Sequence, residues 1–136
     1  MSDLPAYYFR VRETGALVFR VDGANRHSRL EMDPIAVVNV RNGQIRPQGD
    51  RTLDDADHAA IRDWMEERRA VLAAREMDDI RRTLDRINLA AQWAQSRATD
   101  AELEEVTDGL LLAMHDLRGV LTRRKADRMI EAEKTG

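Results

Sequence analysis

Two apolar stripes with matched spacing constrain this chain more than any other feature. Met77, Ile80, Leu84, Ile87, Ala91 and Ala94 follow one another at intervals of 3, 4, 3, 4 and 3 residues. Leu103, Val106, Leu110, Ala113, Leu117 and Val120 repeat the same intervals. A 3.5-residue average keeps one narrow line of side chains on a single side of an α-helix. Eight residues separate the stripes, and Thr99-Asp100-Ala101-Glu102 among them reads as a capping box. There Thr99 caps the 102 amide while Glu102 reaches back. Equal stripes around so short a connection predict a coiled-coil-like antiparallel helical hairpin, over about 54–97 and 100–133.

The segment ahead of the first stripe admits two readings. Ile61, Met65, Arg68 and Leu72 have helical spacing but are out of phase with the stripe that opens at Met77. A single helix over 54–96 is ~64 Å long, against a radius of gyration of ~14 Å for a compact chain of this size. Arg68, Arg69 and Arg75 suit a helix C-terminus, and Glu76, Asp78 and Asp79 suit a new N-terminus, which favours a bend near 74–78. The stretch has neither Gly nor Pro, which favours continuity. At its start, Thr52-Leu53-Asp54-Asp55 resembles a capping box with Asp in place of Glu.

The first fifty residues have the period of strands. Tyr7, Phe9 and Val11 alternate with Tyr8, Arg10 and Arg12, and Leu17, Phe19 and Val21 share one face of a second strand. Turns are expected at Glu13-Thr14-Gly15 and at Asp22-Gly23-Ala24-Asn25. A weaker strand over Arg26–Met32 is expected to be interrupted at Asp33-Pro34, because Pro lacks the ladder N–H. Ile35–Arg41, rich in Val and Ile, is the clearest strand. Asn42-Gly43 then suits a type I′ hairpin, with Gln44–Arg46 as its return. Short turns throughout predict an antiparallel meander over 1–50, followed by a helical region over 51–136 in the same folding unit. The expected class is α+β, helix-dominated.

Composition removes several functions. The chain has 136 residues, which suits one domain, and no cysteine, which excludes disulfides, thiolate zinc sites and a cysteine nucleophile. No apolar run approaches ~18 residues, and Met1-Ser2-Asp3-Leu4-Pro5 has neither a basic nor an apolar leader segment. No membrane association and a cytoplasmic location are therefore expected. Net charge is −3, unlike the strongly basic balance of a bulk nucleic-acid binder. The basic residues are 20 Arg and only Lys125 and Lys134, a bias typical of GC-rich coding sequences, so a bacterial or phage origin is expected. Residues 1–52 carry +2 and residues 53–136 carry −5.

No GxSxG, HExxH, P-loop or GxGxxG motif is present, and the seven glycines are scattered. Asp55-x-x-His58 places a carboxylate and an imidazole on one helical face. A binuclear site needs a second copy, and His115 has leucines at 111 and 112 instead. His27 is expected in a solvated turn and His115 at a packed helix boundary. No catalytic residue, metal ligand or cofactor site is assigned. Trp64 and Trp93 are read as core or interface anchors. The basic stretch Arg118, Arg123, Arg124, Lys125 and Arg128 is read as a complement to the helix C-terminal dipole.

Two surfaces remain. Leu111, Leu112, Met114 and Leu121 extend beyond the narrow seam of the hairpin, and covering side chains of this kind favours a homodimer through a four-helix bundle, or a protein partner. Tyr8, Arg10 and Arg12 share a strand face. Arg20 is expected beside them across the hairpin, with Arg26 and Arg29 following, which suits base stacking and phosphate contact. Glu13 and Glu31 dilute that patch. The expected function is a non-enzymatic bacterial adaptor or scaffold acting through helix-mediated association. Nucleic-acid binding or regulation through the sheet arginines is the alternative, with an enzyme third.

Overall fold

Four strands precede two helices: β1 (Tyr7–Val11), β2 (Gly15–Asp22), β3 (Glu31–Asn39), β4 (Ile45–Pro47), α1 (Asp55–Ser96) and α2 (Asp100–Thr135). The computed structural model describes residues 4–23 and 30–135. Part of the turn expected over 22–25, the start of the strand expected at Arg26, and His27 and Arg29 lie outside the described residues, as does the start of the chain at 1–3. The strands form one antiparallel sheet in the order β1-β2-β3-β4, so the fold is the helix-dominated α+β meander and hairpin that the sequence predicts.

Alternation assigns the two sheet faces. Tyr7 pairs with Arg20, Phe9 with Val18 and Val11 with Ala16, and the same face continues through Ala36 and Val38 to Ile45. Against this face pack Leu53, Ile61 and Met65, with Trp64 partly buried beside them. Phe9 and Trp64 stack with ring centroids 4.7 Å apart, which makes Trp64 a core anchor. Leu17, Phe19 and Val21 do share a face, but it is the opposite one, away from this cluster. Small Ala16 and branched Val18 fill the space under the helix instead.

Pro34 does not interrupt β3. The register slips between Val18 and Phe19, so that Val18 faces Ala36, Phe19 faces Pro34 and Ile35 is the extra residue. A bulge is where a ladder tolerates a missing N–H, and β4 pairs only from Ala36 onward, so Pro34 has one neighbouring strand rather than two. The extra residue is used: Ile35 is among the most buried side chains of the core.

The β3–β4 connection is longer than the type I′ turn expected at Asn42-Gly43. Asn39 N donates to Gln44 O and Gly43 N donates to Asn39 O, enclosing the four residues 40–43. Asn39 Oδ1 accepts from the Arg41 and Asn42 amides, and Gly43 adopts positive φ, +75°. Val40 explains the extra length, since its side chain is in the core and its amide donates to Thr14 O.

α1 runs unbroken from Asp55 to Ser96. The charge reversal at 75–79 does not stop it, because dipole terms of ~0.3–1 kcal/mol are small beside the cost of ending a helix that contains neither Gly nor Pro. Its N-cap lies two residues later than expected at 52–55. Asp57 N donates to Asp54 Oδ1 and Asp54 N donates to Asp57 Oδ2, a reciprocal box between two aspartates. The Thr99 box forms as predicted: Glu102 N donates to Thr99 Oγ1 at 3.2 Å and Thr99 N to Glu102 Oε1 at 2.9 Å. These bonds hold the Glu102 carboxyl below its ordinary range. The chain divides into two compact units, Met1–Ile80 and Arg81–Gly136, with the division inside α1 rather than at the change from strands to helices.

Candidate functional site

Within residues 81–136 the second half of α1 and all of α2 contribute no fully buried side chain among the described residues. The contact between the two helices is concentrated near the Thr99 turn, where Ala90, Trp93, Leu103 and Val106 are half-buried. Ala91 and Ala94, expected in the seam, are exposed, and Trp93 takes their place. The half-buried position near the turn is thus one residue away from those that the 3-4 pattern selects.

Away from the turn, the bulky apolar residues stay exposed. Leu110 and Leu117 are each 46% exposed and Leu84 is 60% exposed. Ile87, Met114, Leu117 and Leu121 line a shallow groove of about 210 Å³, with Arg118 and Thr122 on its rim. Met114 and Leu121 thus belong to the same surface as the seam residues. At 100° per residue, Leu111 lies about 100° and Leu112 about 200° around α2 from Leu110. Leu112, 71% exposed, is on the far side of the helix from the groove. The four residues singled out in the sequence are therefore not one patch, while Ile87 and Leu117, read only as seam, belong to the exposed groove. His115 is exposed rather than packed at a helix boundary.

The sheet face expected to carry arginines is also reorganised. Arg20 pairs with Tyr7, not with Tyr8 or Arg10, so it turns toward α1. Its Nη2 donates to Asp57 Oδ2 at 2.6 Å, and the Tyr7 hydroxyl donates to Asp57 Oδ1 at 2.6 Å. Alternation along each strand does not determine this partnership, which depends on the register between the strands. A two-residue turn at Glu13-Thr14, closed by Arg12 N donating to Gly15 O, sets that register. Asp57 is 0% exposed and its carboxylate satisfies three donors, counting the cap. Burial alone would raise its carboxyl, but bonds from Tyr7, the Asp54 amide and Arg20 outweigh burial and hold it below the usual aspartate range. Burial and the bond to Asp57 push Tyr7 up to about 12. Bonding to Asp57 likewise raises Arg20. This cluster is a clasp between sheet and helix. The Tyr7 hydroxyl and Arg20 Nη2 are both committed to Asp57.

On the open face, Arg10 lies 4.9 Å over the Phe19 ring, and Tyr8 lies 6.0 Å from Phe19. Leu17 and Val37 continue this face toward Arg46. Arg12 belongs to the β1–β2 turn and borders a separate cleft against α1. The His58 Nδ1 has no hydrogen-bond partner, and no group of three metal-ligating side chains converges among the described residues. No helix of the described residues is long and apolar enough to cross a membrane. Compared with protein-family models, curated proteins and solved structures, the chain matches none.

Proposed function

We propose that this protein is a non-enzymatic adaptor or scaffold whose helical hairpin is an association surface, completed by a second copy of the chain in a four-helix bundle. One observation carries the reading: α2 buries none of its residues, although Leu110, Met114, Leu117 and Leu121 recur at helical spacing along it. Covering each such side chain is worth about 1.5–3 kcal/mol. Two-fold pairing brings the same groove of each copy against the other, which suits a stripe without strong net charge. Light scattering at micromolar concentration tests it. A dimeric mass is expected, with Leu117→Asp shifting the population toward monomer. A monomeric wild-type mass overturns the dimer.

A second reading has its own support in the open sheet face, where Tyr8, Phe19 and Arg10 sit together. An exposed ring beside a guanidinium is the kind of surface on which single-stranded bases stack. Under this reading, Arg10→Ala weakens binding to many sequences about equally and flattens its salt dependence. The association reading expects no appreciable nucleic-acid affinity near physiological salt.

A further inference from the structure

Arginines that neither the clasp nor the hairpin uses converge elsewhere in residues 1–80. A cleft of about 600 Å³ lies between the β1–β2 turn, the end of β3 and the middle of α1. Arg12 borders it from the turn, Arg41 from the β3–β4 loop, and Arg68 and Arg75 from α1. Arg75 lies seven residues on from Arg68, about 10 Å or two turns along the helix, so the two share one face of α1. None of these four guanidiniums makes an ion pair among the described residues. Arg68 is half-buried all the same. Like charges gathered with fewer counter-charges repel, and an anion seated among them lessens that repulsion.

The walls are fixed. A Cβ on Gly15 would lie 1.8 Å from Val38 O, so glycine is what lets the turn sit this close to β3. Val40 N donates to Thr14 O, and Arg69 Nε donates to Val40 O at 3.1 Å, tying the turn, β3 and α1 to one another. A fifth arginine is thus spent on holding the cleft open, with Val40 and Leu72 as its apolar lining.

We infer that this cleft is a binding site for a small ligand carrying more than one phosphate. Planar guanidinium forks match phosphate oxygens in pairs, and the volume falls within the ~300–1,000 Å³ of small-molecule sites. Glu13, Glu76 and Asp79 also border the cleft. Five arginines against three carboxylates leave it at a formal +2, which favours a compact anion. No aromatic ring stands among the described lining residues, so nothing there stacks a base, which sets this site apart from the Tyr8–Phe19 face.

Calorimetric titration of the full chain with inorganic pyrophosphate at low salt tests the inference. Saturable binding of one pyrophosphate per chain is expected. The double variant Arg68→Gln, Arg75→Gln is expected to weaken it about tenfold or more. The control pair Arg123→Gln, Arg124→Gln, outside the cleft, is expected to change it by less than about twofold. If the double variant shifts the thermal transition, Arg12→Gln gives the second measurement, from an exposed position on another wall. Absence of saturation into the millimolar range overturns the inference. So does binding that both cleft variants leave intact, or that the control pair abolishes. The outcome is independent of oligomeric state, which light scattering reads separately.

Discussion

Residues 1–80 and residues 81–136 both contain α-helix, yet they bury side chains very differently. In the first, α1 lies across a sheet and closes a core in which Val18, Ala36 and Ile61 are fully excluded from water. In the second, two helices meet near the Thr99 turn and leave the leucines beyond it about half exposed or more. A sheet offers a helix a surface several strands wide, so the helix can bury a broad stripe. A single helix offers another only a seam, and everything beside the seam needs a further layer. The first kind of core is complete within one chain, whereas the hairpin leaves apolar side chains exposed that a further layer would cover.

The sharpest way to break this contrast is to cut into the closed side. Ile61→Ala removes a fully buried side chain and is expected to cost about 2–5 kcal/mol. Denaturant unfolding should show that loss equally at low and high protein concentration. Leu117→Ala, in the hairpin, should show a loss that grows with concentration, because its effect falls on association. Equal, concentration-independent losses for both would mean that the hairpin closes within one chain.

A smaller effect is expected at the clasp. Asp57→Ala removes the acceptor for Tyr7 and Arg20 and half of the α1 capping box. About 1–3 kcal/mol is expected, below the figure for a sealed ion pair because the Arg20 side chain is 45% exposed and regains water. The clasp also sets a pH window. The Asp57 carboxyl lies lower folded than unfolded, so its contribution is present above ~4 and is lost as pH falls through the folded value. Tyr7 lies higher folded, at about 12, so its contribution is present below ~10 and is lost as pH rises from there through 12. Thermal scans across pH should show both limbs. Asp57→Asn should flatten the acid limb and Tyr7→Phe the alkaline one, and unchanged limbs would remove the clasp from the stability of this region.

What the sequence made legible follows the same division. The helices, the Thr99 capping box and the antiparallel meander rest on local patterns, and all are present. Features that depend on two segments meeting were not legible. The partnership of Arg20 with Asp57 needs the β1–β2 register and the position of α1 together. The passage of β3 through Pro34 needs the bulge opposite Val18 and Phe19. The cleft arginines come from three separate elements, and nothing in their spacing along the chain brings Arg12 and Arg41 toward Arg68. Near the Thr99 turn Trp93 is half-buried while Ala91 and Ala94 are exposed, and a 3-4 pattern that counts positions ignores side-chain size.

The smallest expected effect discriminates most finely within the hairpin. Leu112 is among the most exposed large apolar residues of α2, and in the sequence it reads as part of the same surface as Met114 and Leu121. Around the helix it lies about 160° from Met114, so a copy seated on the Ile87–Leu117 groove does not cover it. Leu112→Asp is therefore expected to change stability by no more than about 0.5 kcal/mol and to leave the mass in light scattering unchanged. Leu117→Asp, five residues on, faces the groove and should shift the mass toward monomer. If Leu112→Asp shifts it as strongly, the bundle packs on the opposite side of α2, and the groove is not the interface.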